Sequence, residues 1–107
     1  MVKKVIFMGT PMFAVPILKS LYQNGYPVEC VYTQPPQKSQ RGQKINKSPI
    51  QKISETLNLE FRSPNYLKEN KEELEYFKSL DADLAIVVAY GQIIPKEFLN
   101  LTKKRIY

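Results

Sequence analysis

Val5-Ile6-Phe7-Met8-Gly9-Thr10-Pro11 and, far along the chain, Asp83-Leu84-Ala85-Ile86-Val87-Val88-Ala89-Tyr90-Gly91 decide the fold class. Each is an apolar run of strand length that stops at a glycine. Near-continuous apolar runs of this kind belong to strands covered on both faces. A strand over residues 2–9 is followed by Thr10-Pro11, a helix start with threonine as cap and proline at the first helical position. Ala14, Ile17, Leu18 and Leu21 then recur at helical spacing, with Pro16 tolerated near the first turn. Asn24-Gly25 closes that helix.

The same alternation continues outward. Residues 28–33 form a second strand rich in β-branched side chains. Ser48-Pro49 restarts a helix whose buried face carries Ile50, Ile53 and Leu57. Residues 59–61 form a weak third strand. Asn70 with Glu73 three positions on makes a capping-box-like start to a helix carrying Leu74, Phe77 and Leu80. Asp81-Ala82-Asp83 turns into the strongest strand, residues 84–89. Pro95 opens a short helical turn through Leu99, and residues 104–107 begin another strand. The fold class is therefore α/β, a doubly wound, mostly parallel Rossmann-like sheet that reaches its fifth strand as the sequence ends.

The 107 residues amount to about one small domain. With 43% apolar and 24% charged residues the composition is that of a globular chain. The longest apolar run, residues 84–90, falls far short of the ~18 residues a membrane span needs, and Gly9-Thr10-Pro11 interrupts the first run too early for a secretory signal. Cytoplasm is the expected compartment, and no membrane is expected as a partner. A single cysteine, Cys30, excludes an internal disulfide and a Cys-based metal cluster and reads as a core residue. Histidine is absent, which removes the commonest general base and metal ligand; no metal is expected.

The net charge of +6 is unevenly spread. Residues 34–52 hold five cations, Lys38, Arg41, Lys44, Lys47 and Lys52, and no acid. Within that stretch residues 34–47 have two prolines, a glycine and no apolar period, and read as a long mobile loop. By charge alone it is either a solvated loop or a surface for an anionic partner.

In a doubly wound sheet, ligands bind beyond the C-terminal strand ends. Gly9-Thr10-Pro11, the basic loop and residues 90–95 lie on that edge. The dinucleotide pattern Gly-x-Gly-x-x-Gly and the P-loop pattern are both absent, which disfavours classical nucleotide binding. Residues 90–95 are either a plain turn or a loop that holds a flat heterocycle, with backbone groups reading its edge. Asp81 and Asp83 stand before the strongest strand, at its wrong end for chemistry, and read as solvated turn residues.

Three segments in order carry a resemblance. The run from Val5 to Leu18, then Thr33-Gln34-Pro35-Pro36 with Arg41-Gly42, Lys44 and Ser48-Pro49, then Asp83 to Pro95, resemble the methionyl-tRNA formyltransferases over essentially all 107 residues. Met12, Pro36 and Gln40 depart from residues common in that family. The resemblance implies transfer of a formyl group from 10-formyltetrahydrofolate to the amino group of methionine on initiator methionyl-tRNA, in a protein expected to be monomeric. Carried over residue by residue, Tyr90, Gly91, Gln92, Ile93 and Ile94 would line the pterin pocket. Gly9, Thr10 and Phe13 would lie beside the aminoacyl end of the tRNA. Lys38, Arg41, Lys44 and Lys47 would reach the acceptor stem, in line with cations placed for a phosphate backbone.

On this reading residues 1–107 form the N-terminal part of a formyltransferase catalytic domain, with a basic insertion at about 34–48 and the C-terminal domain absent. The family's Asn-x-His and Ser-Leu-Leu-Pro motifs would follow Tyr107, so no catalytic residue is assigned here and the chain alone is expected to be inactive. A folate-dependent formyltransferase with another amine acceptor, an amino sugar nucleotide or glycinamide ribonucleotide, is a sibling reading. A module that binds RNA or folate without chemistry is the alternative from another class, although the basic stretch lacks aromatics for base stacking.

Overall fold

The computed structural model describes residues 4–38 and 45–106. Its main sheet has five strands: β1 (Val5–Gly9), β2 (Val28–Tyr32), β5 (Phe61–Arg62), β6 (Leu84–Val88) and β7 (Lys104–Ile106). They are ordered β5-β2-β1-β6-β7, and every pair is parallel. Order runs outward from β1 in both directions, so the switch point lies between β1 and β6. Helices α1 (Val15–Gln23), α2 (Pro49–Thr56), α3 (Lys71–Ser79) and α4 (Lys96–Leu99) make the crossovers. The remaining strands, β3 (Gln37–Lys38) and β4 (Ile45–Asn46), pair antiparallel with each other, so the stretch read as a structureless loop is framed by a short hairpin.

Period-two alternation in the central strands sorts side chains onto two faces. Ile6, Met8, Cys30 and Tyr32 meet Phe77 of α3 and Phe98 of α4, while Phe7 and Val31 meet Ala14, Leu18 of α1 and Ile50 of α2. Both faces of β1 are thus covered, as its unbroken apolar run requires. Cys30 is fully buried in the first of these clusters, and burial pushes its thiol up to about 12.

Helix ends follow the sequence closely at three places. The Ser48 hydroxyl accepts from Gln51 N–H at 2.9 Å with Pro49 in the first turn, and Asn70 Oδ1 accepts from Glu73 N–H at 3.1 Å. Gly25, at φ +79, takes the left-handed turn after α1.

Three expectations need correction. The first helix does not begin at Thr10-Pro11: a 3-10 turn (Met12–Ala14) intervenes, α1 starts at Val15, and Ile17 stays 39% exposed. The third strand is shifted to Phe61–Arg62, because α2 ends in a left-handed Asn58, φ +59, and the chain needs two more residues to reach β2. The capping box at Asn70 is only half made. The Glu73 carboxylate is buried and instead takes the Tyr32 hydroxyl at 2.7 Å and Arg62 Nε at 2.6 Å, and Arg62 stacks 3.9 Å over the Tyr76 ring. A buried carboxylate with three donors in reach satisfies more polar atoms there than a reach back to one backbone N–H.

Candidate functional site

Three chain segments leave the sheet at its C-terminal edge around the switch point, and one hydroxyl joins them. Thr10, directly after β1, donates from Oγ1 to the Tyr90 carbonyl at 2.7 Å and accepts from Gln34 N–H at 3.3 Å. Its own carbonyl accepts from Ile50 N–H at the start of α2, at 3.4 Å. Gly9 lets β1 lie this close to β6: a Cβ there would stand 2.9 Å from the Val88 carbonyl oxygen, a backbone atom that cannot yield. Between Thr10, the loop after β2 and the hairpin lies a cleft of about 350 Å³, lined by Thr10, Gln34, Pro35, Gln37, Asn46, Ser48 and Pro49. Among the described residues no lining side chain is charged.

The loop after β6 is bent by two left-handed residues, Ala89 at φ +49 and Gly91 at φ +100. For a non-glycine this is a strained backbone, of the kind that gathers at ligand sites. The bend sends the Tyr90 ring inward, fully buried beside Met8 and Tyr32. Among the described residues its hydroxyl has no hydrogen-bond partner, and burial, with the Glu73 charge nearby, raises it above the ordinary phenol range. Ile93 is turned the other way and is 92% exposed, whereas Ile94 packs against the core. Among the described residues the amides of Gly91, Gln92, Ile93 and Ile94 have no backbone acceptor. An exposed apolar side chain beside free backbone donors suits a flat heterocycle with a polar edge, which is the donor set a pterin would require.

The family profile described as formyl transferase matches residues 3–107. The chain belongs to the formyl transferase family. It is 70% identical over 104 residues to a methionyl-tRNA formyltransferase of Pelagibacter ubique (strain HTCC1062), covering 97% of this chain and 34% of that protein. Proteins of the same name from Acidiphilium cryptum (strain JF-5) and Clostridium perfringens (strain SM101 / Type A) are 44% and 46% identical, covering 90% and 94% of this chain and 32% of each of theirs. The chain spans about a third of the length of the curated relatives it matches.

In this formyl transferase chain the residues singled out from sequence fall into groups. Gly9, Thr10, Gly91, Gln92, Ile93 and Ile94 come together at the switch point. Tyr90 joins them through its carbonyl, while its ring belongs to the core. Phe13 and Met12 lie on the adjoining 3-10 turn, 65% and 68% exposed. Lys47 is held away from the cleft in an exposed ion pair with Glu55 at 3.1 Å. Lys38 contributes backbone to the hairpin; Arg41 and Lys44 lie outside the described residues.

Asp83 sits at the opposite end of β6, accepting from Lys4 N–H and paired with Lys103, far from the cleft side of the sheet. Among the described residues no group of three or more His, Cys, Asp or Glu could hold a metal, and no helix is long and apolar enough to cross a membrane. Sequence reasoning quotes Gln34 only within the family-like run and gives it no site role, and it places Gln92 in the pterin pocket without a role for its side chain. Lone glutamines at two loop ends carry no pattern; only their meeting in space reveals them.

Proposed function

We propose that this chain is the donor-binding part of a methionyl-tRNA formyltransferase, which moves a formyl group from 10-formyltetrahydrofolate to the methionine amino group of initiator methionyl-tRNA. The observation that carries the reading is the 70% identity to the Pelagibacter ubique enzyme over 97% of this chain. The free backbone donors and exposed Ile93 at the switch point agree with it. Gly91 to Ile94 hold the pterin, Ile93 covering a ring face and the amides reading its edge. The bound donor supplies an activated formyl amide. Gly9, Thr10 and Phe13 lie on the acceptor side, and the basic stretch with Lys38, Arg41, Lys44 and Lys47 meets tRNA phosphates.

Attack on the formyl carbon requires an amine stripped of its proton and donors for a tetrahedral oxyanion. Among the described side chains at this edge none is a base, so on this reading both roles fall to the two thirds of the relatives' length that this chain does not span. Residues 1–107 then form the front of the catalytic domain of a cytoplasmic enzyme that needs no metal.

The test uses the full-length product carrying this segment. Wild-type protein should formylate methionyl-tRNA from 10-formyltetrahydrofolate. Ile93→Asp should raise KM for the donor by at least about tenfold, as loss of one apolar contact plus a charge against the ring implies, and leave KM for the tRNA unchanged. Formylation of an amino sugar nucleotide or glycinamide ribonucleotide instead would correct the acceptor. Salt-dependent RNA binding without any donor affinity would replace the enzyme reading with a binding module.

A further inference from the structure

Gln92 is partly buried, and its side chain ties three separated segments together. Its Nε2 donates to Gln34 Oε1 at 3.0 Å and to the Pro64 carbonyl at 3.1 Å, with the Asn65 carbonyl at 3.4 Å. On the other side, its Oε1 accepts from Leu67 N–H at 3.0 Å. These surroundings set the amide orientation, since a flipped amide would aim oxygen at three oxygens. Gln34 in turn lies against Gly91. A Cβ on Gly91 would stand 2.6 Å from Gln34 Nε2 and 3.2 Å from its Cγ, and the φ of +100 is itself glycine's territory. Two glutamines from loops 58 residues apart therefore clasp each other over the one glycine of the bend.

We propose that Gln92, clasped to Gln34, is a positioning residue for the formyl donor. The inference rests on the reading that Gly91 to Ile94 hold that donor. A loop whose amides have no backbone acceptor gains no order from its own hydrogen bonds, and fixing each of its residues costs backbone entropy. The clasp supplies the order from outside: it ties the loop to the root of the basic stretch at Gln34 and to residues 64–67. Donor binding then meets a loop already in place, which is the general advantage of preorganisation. Gln92 acts through the loop backbone, so its loss should weaken donor binding and leave the chemical step alone.

Gln92→Glu and Gln34→Ala in the full-length protein, alone and combined, test this. Gln92→Glu keeps an acceptor for Leu67 N–H and removes the donor that faces Gln34 and the two carbonyls. Each single variant should raise KM for 10-formyltetrahydrofolate about tenfold with kcat within about twofold, the equivalent of one lost hydrogen bond. The double variant should be no worse than the poorer single one, because both remove the same contact. Amide exchange at residues 91–94 should quicken in each.

Effects that multiply in the double variant, or a fall in kcat at unchanged KM, would overturn the clasp. If Gln92→Glu folds poorly, Gln34→Ala, which leaves the Leu67 tie intact, carries the same test. A wild-type enzyme that transfers formyl normally while both variants keep its KM sinks only this inference. A wild-type protein that neither transfers formyl nor binds the donor sinks the functional reading and this one with it.

Discussion

Ser48 precedes Pro49, is buried, and accepts from Gln51 N–H; its hydroxyl also bonds the buried Thr33 hydroxyl at 2.7 Å. Thr10 precedes Pro11 in the same way, yet no amide of the following helix reaches it; its hydroxyl donates across 80 positions to the Tyr90 carbonyl. The two dipeptides send one local signal, a short hydroxyl residue before a proline, and the fold uses it differently. Before α2 the chain runs straight into the helix, so the nearest unpaired groups are the first-turn amides. After β1 the chain must first clear the edge of β6, and the carbonyl that needs a partner there belongs to a neighbouring strand end. A cap requires an acceptor. A tie between strand ends requires a donor.

Aspartate separates the two, since it accepts and cannot donate when ionised. The largest effect is expected for Thr10→Asp in the full-length protein, which sets a carboxylate against the Tyr90 carbonyl. Denaturant unfolding should show a loss of about 2 kcal/mol, whereas Ser48→Asp, still able to accept from Gln51 and Thr33, should stay within about 0.5 kcal/mol of wild type. Equal losses at the two positions would break the comparison.

Ser48→Ala comes next. Removing the cap and leaving the Thr33 hydroxyl without its partner should lower stability by about 1–2 kcal/mol, with the change in backbone protection confined to α2 on amide exchange.

The smallest difference between the regions should appear in alkali. Neither hydroxyl titrates, so the pH profiles of Thr10→Asp and Ser48→Ala should run parallel above neutrality. Both should follow the buried core, where burial raises Cys30 from an ordinary 9.0 to about 12 and pushes Tyr32 and Tyr90 the same way. A raised folded value means that stability is complete below about pH 9 and falls as pH climbs past the unfolded values. Urea midpoints measured from pH 7 to pH 10.5 should therefore decline only above about pH 9; a flat profile would mean that these groups ionise as easily folded as unfolded.

Much of the architecture was readable because strand and helix periodicity is local. The unbroken run at Val5 to Met8 required cover on both sides and has it; Ser48-Pro49, Asn70 and Gly25 ended or began helices where their chemistry allows. Errors arose where a long-range partner outbid a local one. Glu73 abandoned the Asn70 box for Tyr32 and Arg62, and Thr10 abandoned α1 for Tyr90. The hairpin of β3 and β4 leaves no mark in the sequence, because each strand is two residues long, too short to show a period.

The candidate site was legible as an edge and not as a mechanism. Glycines after the apolar runs marked where β1 and β6 end, and topology makes those ends neighbours. Which atoms of Tyr90 to Ile94 face outward could not be read from their order, since the left-handed turns at Ala89 and Gly91 decide that Tyr90 goes in and Ile93 goes out.

What the sequence by itself determined is the set of elements, the two-faced burial of the central strands and the family, all of which depend on neighbours within a few residues or on the order of motifs. Only the tertiary structure decided that Thr10, Gln34 and Gln92 form one hydrogen-bonded junction. Their bonds join residues 24 to 80 positions apart, and polar pairing over such distances leaves no periodic trace in a chain. It is selected when the packed sheet brings buried donors and acceptors within reach, where each must find a partner or destabilise the fold.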